Sequence, residues 1–229
     1  FDGVYMNSSV YINGHLLGTR PYGYISFSYI LTDYINWGGE NVIAVKVDNS
    51  DQPNSRWYSG CGIYRDVRLV KLNPIHIPEW GTFVTSDVNP DGTATVKVNY
   101  KMVNHIPPGN GITVKQTIYD ADNRIVAKTQ PYQDFIWNSE FTQQKTDTLQ
   151  IDNPILWSLE KPYLYTVKTD VYDYNGINLL DTYSTVFGIR TIEFRADSGF
   201  YLNGEHVRIN GVCLHHDLGA LGSAVHRRA

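Results

Sequence analysis

The 229-residue chain is 42% hydrophobic and 18% charged, which is typical of a globular protein and not of a disordered one. A formal net charge of −4 without a basic block argues against a nucleic-acid-binding surface, because affinity there depends on clustered Lys and Arg. No apolar stretch approaches the roughly 20 residues of a membrane span. The 17 tyrosines and 5 tryptophans favour β-sheets, and exposed aromatic rings also suit the flat apolar faces of sugars.

Residues 1–73 alternate between apolar and polar positions, as β-strands do. VYINGHLLGT has apolar residues on both sides of Asn13-Gly14, the strongest short signal for a β-hairpin. The segments NVIAVKVDN and DVRLVKL (66–72) alternate likewise, and LTDYINWGG predicts at most one or two helical turns. In NVIAVKVDN the residues predicted to share one face are Ile43, Val45 and Val47. Between the last two strands lies a long polar loop, DNSDQPNSRWYSGCGIYR, and such loops on a β scaffold often carry function.

Residues 74–188 predict a second β unit with turn signals at regular spacing. The inward positions predicted for TVKVNYKMV and YLYTVKTDVYD are Val96, Val98, Tyr100 and Met102, then Tyr163, Tyr165, Val167 and Val171. Strands at this spacing over about 110 residues match an immunoglobulin-type sandwich, although the Cys-Trp-Cys pattern of antibody domains is missing.

The last segment, 189–229, begins with the predicted strand GIRTIEF and a second hairpin with Asn203-Gly204 at its turn. A cluster of possible ligands follows in GVCLHHDLGA. A metal site at His215, His216 and Asp217 is disfavoured because neighbouring strand residues point to opposite faces. Cys213 is expected to pack inertly in an apolar strand.

Catalytic signatures of other kinds are missing: there is no G-x-S-x-G elbow and no phosphate-binding loop. Glycoside hydrolysis would need two carboxyl groups about 5–5.5 Å or roughly 6.5–9.5 Å apart. Each of the six glutamates lies in a predicted turn or on the polar side of a strand, so none is predicted to be a buried acid. They are Glu40, Glu79, Glu140, Glu160, Glu193 and Glu205.

Three motifs in order resemble glycoside hydrolase family 2. VYINGHLLGTRPYGYISFSYILTDYINWGGENVIAVKVDN with SRWYSGCGIYRDVRL is similar to the family's sugar-binding domain, and DNPILWSLEKPYLYTVKTDVYD with FGIRTIEF to its immunoglobulin-like domain. FYLNGEHVRINGVCLHHDLGALG resembles the start of its (β/α)8 barrel. The resemblance implies a mainly β fold in three parts. These are a truncated jelly-roll sugar-binding β-sandwich (1–73), an immunoglobulin-like β-sandwich (74–188) and the first strands of an incomplete barrel (189–229).

The resemblance, strongest to bacterial β-galactosidases, implies a retaining β-glycosidase that acts on terminal β-linked galactosides. In the family both catalytic glutamates lie deep in the barrel, one of them in an Asn-Glu pair, and this sequence has no Asn-Glu dipeptide. We therefore expect no catalytic residue, no metal ligand and no cofactor in this chain, and no activity from it alone. For the full-length enzyme the resemblance leaves open a monovalent or divalent metal ion, a homo-oligomer, and a location in the bacterial cytoplasm or periplasm.

The resemblance also suggests substrate contacts. His215 corresponds to the family histidine that lines the sugar pocket at the end of the first barrel strand. In the long loop the family's carboxylate position is held by Arg56, so Asp51 or Asn54 is expected to replace that carboxylate, and Trp57 either stacks on a sugar or anchors the loop. Arg65 and Asp66 are expected to form a structural ion pair.

Two alternatives stay open at this point. One is a stand-alone carbohydrate-binding or adhesion module of two β-sandwiches. The other, within the family, is a β-glucuronidase or β-mannosidase. Because the chain starts at Phe1 in mid-strand and breaks off after the expected barrel start, we expect an internal piece of a longer protein. Its unpaired edges and exposed apolar residues predict self-association or a disordered C-terminal end.

Overall fold

The computed structural model describes most of the chain, and the predicted mainly β fold is confirmed. The described residues are 1–51, 60–105, 110–136, 142–213, 218–222, 224, 226 and 228. Among them, helical structure is confined to two 3-10 turns, Thr32–Tyr34 and Gly219–Leu221. The chain divides into two compact units, a first unit of Phe1–Val70 with Gly211–Ala229 and a second unit of Lys71–Asn210.

The described part of the first unit contains five short strands in two sheets. They are β1 (Val4–Tyr5), β2 (Ser8–Ile12), β3 (His15–Arg20), β4 (Ile43–Lys46) and β5 (Gly62–Ile63). Strands β1 and β5 form an antiparallel pair, and β2 lies between β3 and β4 in a three-stranded antiparallel sheet. Val4, Val10 and Phe27 form the buried core of this unit.

The predicted Asn13-Gly14 hairpin is confirmed. Asn13 and Gly14 have φ values of 49° and 85°, the left-handed pair that a type I′ turn between β2 and β3 requires. The Asn13 side chain also accepts a hydrogen bond from the Val42 N–H at 2.9 Å and donates one to the Tyr34 carbonyl at 2.8 Å. The turn residue therefore fastens the hairpin to two more distant segments.

One prediction for this unit needs correction. Ile43 and Val45 lie opposite Ile12 and Val10 on β2, as a shared face requires, and Val45 and Val47 pack against the core, while Ile43 at the start of β4 is 47% exposed. The strand predicted at 66–72 is wrong. These residues form no ladder, and Leu69 is 79% exposed because none of the described strands pairs with the segment.

The second unit is an antiparallel sandwich of two sheets, as the spacing of strands and turns predicted. Its strands are β6 (Ile75–His76), β7 (Thr82–Val88), β8 (Ala94–Asn104), β9 (Asn110–Tyr119), β10 (Ile125–Lys128), β11 (Tyr132–Ile136), β12 (Thr142–Ile151), β13 (Tyr165–Asp173) and β14 (Leu179–Phe187). In one sheet β8 has β12 on one side and β6 and β7 on the other. In the other sheet β9 and β13 are central, with β10 and β11 beside β9 and β14 beside β13.

The apolar positions of these strands fill the space between the sheets. The predicted inward residues that are at most 3% exposed are Val96, Val98, Tyr100, Met102, Tyr165, Val167 and Val171. Tyr163 is only partly buried because it precedes β13, although it still packs against the core. Period-two alternation therefore located the interior of this sandwich correctly.

A polar network crosses the sandwich interior. Gln116 on β9 is fully buried, donates from Nε2 to Asp147 Oδ2 on β12 at 3.0 Å, and accepts from the Thr169 hydroxyl at 2.7 Å. The Tyr132 hydroxyl donates to Asp147 at 3.0 Å and also hydrogen-bonds to the Tyr100 hydroxyl. Burial raises the pKa of the Asp147 carboxyl, which the hydrogen bonds from Gln116 and Tyr132 only partly offset. The network joins the two sheets by directional bonds that the alternation pattern did not reveal.

A small three-stranded antiparallel sheet follows the sandwich. It consists of β15 (Ile192–Arg195), β16 (Gly199–Leu202) and β17 (Glu205–His206). Asn203 and Gly204, at φ values of 51° and 81°, form the predicted turn between β16 and β17. The Asn203 side chain accepts from the Thr191 N–H and donates to the Trp157 carbonyl, each at 3.0 Å.

The predicted first barrel strand does not form in the described part of this region. Residues 207–213 have no strand pairing. Val212 is 90% exposed, and Cys213 is exposed and not packed in an apolar strand as expected. A parallel barrel strand obtains its hydrogen bonds from neighbouring strands. Here the Val207 N–H donates to the Phe200 carbonyl on β16 at 2.9 Å, but no described strand forms a ladder with residues 207–213.

Candidate functional site

The long polar loop predicted to contact sugar begins and ends beside the first strands of the chain. Of its three predicted binding residues, Asp51 is described, whereas Asn54 and Trp57 lie outside the described residues. Asp51 is exposed in a bend and makes no side-chain hydrogen bond within the described part of the chain. Its carboxylate is therefore accessible at the base of the loop.

Asp48 holds the N-terminal end of the loop. Its N–H donates to the Met6 carbonyl and its own carbonyl accepts from Asn7 Nδ2, both at 3.1 Å. Its carboxylate accepts from the Ser50 hydroxyl at 2.6 Å and from the Ser50 N–H at 3.1 Å. These two bonds hold the pKa of the Asp48 carboxyl below its usual value, and the bond from the Ser50 side chain has the larger effect. The carboxylate thus stabilises the turn that leads into the loop.

The C-terminal end of the loop returns to the same place. Ile63 on β5 pairs with Val4 on β1, and the Tyr64 N–H donates to the Gly3 carbonyl at 3.3 Å. Gly62 has a φ of 110°, a conformation that side-chain-bearing residues rarely adopt. Both ends of the loop are therefore fixed on the stretch 3–7, which gives the intervening residues a defined base.

An aromatic cluster lies at this base. We define it as Tyr5, Tyr22, Tyr24 and Tyr64. Ring centroids of Tyr24 lie 5.2 Å from Tyr5, 5.7 Å from Tyr22 and 6.4 Å from Tyr64, all edge-to-face. Tyr22 and Tyr24 are 61% and 42% exposed, so the aromatic cluster presents ring surface to solvent. Exposed tyrosine rings with hydroxyl groups are well suited to stack on and hydrogen-bond to sugars.

Two glycines allow the aromatic cluster to close. A Cβ on Gly23 would lie 2.3 Å from the Tyr5 ring, and a Cβ on Gly3 would lie 2.7 Å from the Tyr64 ring. The Tyr64 hydroxyl donates to the Gly23 carbonyl at 2.9 Å. Burial, followed by the neighbouring Tyr5, raises the pKa of the Tyr24 hydroxyl above its usual value. Sequence reasoning assigned no role to these tyrosines, although the spacing PYGY was the available signal.

The predicted ion pair between Arg65 and Asp66 does not form. Arg65 lies over the Tyr64 ring at 5.2 Å from its centroid, and Asp66 pairs with Arg68 at 3.3 Å. Arg68 also makes a bidentate pair with Asp2, at 2.8 Å for Nη1–Oδ1 and 2.5 Å for Nη2–Oδ2. Arg68 therefore takes the place beside Asp66 that was predicted for Arg65, whose guanidinium lies on the Tyr64 ring instead.

The fourth predicted contact, His215, lies outside the described residues, as do His216 and Asp217. The segments on both sides of His215 belong to the first unit, which also contains the long loop and the aromatic cluster. On the C-terminal side the chain forms the 3-10 turn Gly219–Leu221, closed by a bond from the Leu218 N–H to the Gly222 carbonyl at 2.8 Å. Both regions that carry predicted sugar contacts therefore belong to one unit.

The glutamates were predicted to include no buried acid. The described glutamates are all exposed, as predicted: Glu40, Glu79, Glu160, Glu193 and Glu205. Burial raises the pKa of the Asp147 carboxyl, and this group is engaged inside the sandwich by Gln116 and Tyr132. The raised pKa of Asp147 is therefore explained by its place in the sandwich interior.

Within the described ranges, no three or more His, Cys, Asp or Glu side chains lie close enough together to hold a metal ion. The same ranges contain no helix long and apolar enough to cross a membrane.

Comparison with known proteins shows which family the chain resembles. The profile of "Glycosyl hydrolases family 2" matches residues 75–190, just over half of the chain. The chain is 50% identical over 231 residues to "Beta-galactosidase BoGH2A" of Bacteroides ovatus, a match that covers 100% of this chain and 26% of that protein. It is 38% identical over 226 residues to a "Putative beta-glucuronidase" of Formosa agariphila, covering 98% of this chain and 20% of that protein.

Solved structures show the same relationship. A glycosyl hydrolase family 2 member from Bacteroides cellulosilyticus superposes with a TM-score of 0.88 at 36% identity, covering 98% of this chain and 30% of that one. The chain thus spans about a quarter of the length of the two curated relatives. Sequence profile, relatives and fold agree, and the chain belongs to glycosyl hydrolases family 2.

Proposed function

We propose that this chain is the sugar-binding part of a retaining β-galactosidase whose catalytic carboxyl groups lie outside this sequence. The observation that carries the proposal is the 50% identity to a protein named as a β-galactosidase, which extends over the whole of this chain. The family relationship supports β-glycoside hydrolysis in general, and this relative supports galactosides as the substrate.

The geometry of the first unit supports a role in substrate binding. The exposed aromatic cluster lies where both ends of the long loop are fixed, so Asp51 and the tyrosine rings share one region of the unit. We propose that a sugar ring stacks on Tyr22 or Tyr24 while the Asp51 carboxylate accepts hydrogen bonds from sugar hydroxyl groups. His215, by the family resemblance, would contribute an imidazole to the same pocket.

Hydrolysis with retention needs a nucleophilic carboxylate and an acid/base carboxyl about 5–5.5 Å apart. The described glutamates are exposed, whereas a general acid at neutral pH needs an environment that raises its pKa, so this chain binds and orients substrate rather than cleaving it. The bond-breaking steps then belong to the remainder of the enzyme.

Activity measurements test the proposal directly. The 229-residue chain and the complete reading frame that encodes it should each be assayed with p-nitrophenyl β-galactoside, β-glucuronide and β-mannoside. We expect no turnover by the chain and preferential cleavage of the galactoside by the complete protein. Turnover by the chain at an ordinary enzymatic rate would refute the assignment of the catalytic residues.

A β-glucuronidase is the second candidate, because a relative named as a putative β-glucuronidase is 38% identical over 98% of the chain. Preferential cleavage of the glucuronide in the same assay would select it. If the complete protein cleaves none of the three substrates but binds galactosides, the stand-alone binding module is the correct description.

The site itself is tested by substitutions in the complete protein. Asp51→Asn keeps the shape but removes the charged acceptor, and we expect kcat/KM to fall by roughly 2–10-fold, the value of one hydrogen bond of about 0.5–1.5 kcal/mol. Asp33→Asn, in the exposed 3-10 turn of the same unit, is the matched control and should leave kcat/KM unchanged. Equal effects of the two substitutions would remove Asp51 from the site.

A further inference from the structure

An open groove lies on the outer face of the second unit, away from its core. Its volume is about 590 Å³, and Thr113, Lys115, Gln133, Tyr172 and Asn175 are among the residues that line it. Thr113 on β9 pairs with Gln133 on β11 and with Tyr172 on β13, so these three side chains form one row across the sheet. The groove is of a size that small-molecule sites of about 300–1,000 Å³ usually have.

The wall of the groove is held in place by side-chain hydrogen bonds. The turn after β13 lies over the sheet because the Tyr174 carbonyl accepts from the Thr113 hydroxyl at 3.0 Å and from Gln133 Nε2 at 3.2 Å. The Tyr174 ring packs so closely on Gly111 that a Cβ there would lie 2.2 Å from it. Gly176, with a φ of 72°, closes the turn with a bond to the Asp173 carbonyl at 2.9 Å. The groove therefore exists before any ligand binds.

The lining combines an aromatic ring, two side-chain amides and one positive charge. Tyr172 supplies an aromatic ring, and Gln133 and Asn175 supply amides that can pair with hydroxyl groups. Lys115 makes no ion pair with any described residue. Asp170, opposite Lys115 in the ladder, is engaged by Lys168 Nζ at 3.2 Å and by the Thr182 hydroxyl at 2.8 Å.

We propose that this groove is an accessory binding site for an acidic oligosaccharide, with a uronate carboxylate on Lys115 and a pyranose ring on Tyr172. The amides of Gln133 and Asn175 hydrogen-bond to the remaining hydroxyl groups. Because no described residue forms an ion pair with the Lys115 ammonium, we expect an acidic sugar to bind more tightly than a neutral one, since a charge-assisted hydrogen bond is stronger than a neutral one. This inference goes beyond the proposed hydrolysis and does not depend on it.

Titration calorimetry on the 229-residue chain tests the proposal, with trigalacturonate as the acidic probe and a β-1,4-galactotriose as the neutral probe. We expect trigalacturonate to bind with a Kd of about 1 mM or lower. The Kd of galactotriose should be at least roughly fivefold higher. Lys115→Gln should weaken trigalacturonate binding by roughly fivefold and leave galactotriose binding unchanged. Tyr172→Ala should weaken the binding of both probes.

Lys101→Gln is the matched control, since Lys101 is an exposed lysine on β8 in the other sheet, and it should change neither affinity. Thermal unfolding of each variant confirms that it is folded before binding is measured. The proposal is overturned if trigalacturonate gives no binding heat up to about 10 mM, if both probes bind equally, or if Lys115→Gln and Lys101→Gln behave alike.

Discussion

Replacing Gln116 by methionine should remove a polar link between the two sheets of the second unit and lower the free energy of unfolding. The shape of the unit should change very little. Gln116 is fully buried and its amide joins Asp147 on one sheet to Thr169 on the other. Methionine has a similar length but neither donates nor accepts a comparable hydrogen bond. Gln116→Met therefore removes the bond to a carboxylate and leaves the buried Thr169 hydroxyl without its acceptor.

The magnitude follows from these two losses. A hydrogen bond to a charged group contributes about 1.5–3 kcal/mol, and an unpaired buried hydroxyl costs about 1–3 kcal/mol. The apolar thioether offsets part of this, since burial of apolar surface stabilises by about 25 cal/mol per Å². We expect Gln116→Met to lower the free energy of unfolding by about 2–4 kcal/mol at pH 7.

The pH dependence gives a second signature. Burial raises the pKa of the Asp147 carboxyl, and the hydrogen bond from the Gln116 amide lowers it. Without that bond, the pKa of Asp147 in the folded variant should be higher than in the folded wild type. A carboxyl group whose pKa is higher in the folded than in the unfolded state destabilises the fold. This destabilisation is complete at pH values above the folded-state pKa and disappears at pH values below the unfolded-state pKa. The deficit of Gln116→Met should therefore be largest at pH 7 and shrink as the pH falls through the raised pKa towards about 4.

Urea unfolding followed by circular dichroism at several pH values measures both effects. Gln144→Met is the control, because Gln144 is exposed on β12, and it should change stability by less than about 0.5 kcal/mol at every pH. A Gln116→Met variant as stable as this control at pH 7, or one whose deficit grows at low pH, would refute the role assigned to the network.

Three further substitutions test local features. Gly23→Ala should destabilise by about 1–3 kcal/mol in thermal unfolding, because its Cβ would lie 2.3 Å from a tyrosine ring, whereas Gly39→Ala has space and should cost much less; equal melting temperatures would contradict this. Asn203→Gly keeps the left-handed turn but loses the two hydrogen bonds of the Asn203 side chain, so the free energy of unfolding in urea should fall. A decrease of less than about 0.5 kcal/mol would show that these bonds contribute nothing. Arg68→Met breaks an exposed pair with Asp2 and should cost at most about 1 kcal/mol, less at high salt; a larger, salt-independent loss would show that the pair is not a surface one.

The features predicted correctly from sequence are those governed by local chemistry. Both Asn-Gly turns form where they were predicted, because asparagine and glycine tolerate the left-handed backbone that a type I′ turn requires. The inward faces of β8 and β13 follow from alternation, since successive strand residues point to opposite sides. The segment 66–72 shows the same alternation but forms no strand, because a ladder also needs a neighbour.

The candidate site was only partly accessible to sequence reasoning. The long loop was recognised from its polarity and length, and its base is where the aromatic cluster lies. The aromatic cluster itself was missed, since it brings Tyr5 and Tyr64 together from segments nearly sixty residues apart. The expected pair of Arg65 with Asp66 was wrong because it considered adjacency in sequence and not the direction of side chains.

By itself, then, the sequence determined the β class, the two hairpin turns, the interior of the sandwich and the family resemblance that the comparisons confirmed. Each of these depends on residue type and spacing within one short segment. Only the tertiary structure decided that Gln116 and Asp147 meet between the sheets, and that Thr113, Gln133 and Tyr172 form one side of a groove. Strand pairing joins residues far apart in the chain, and the sequence does not state which strands become neighbours.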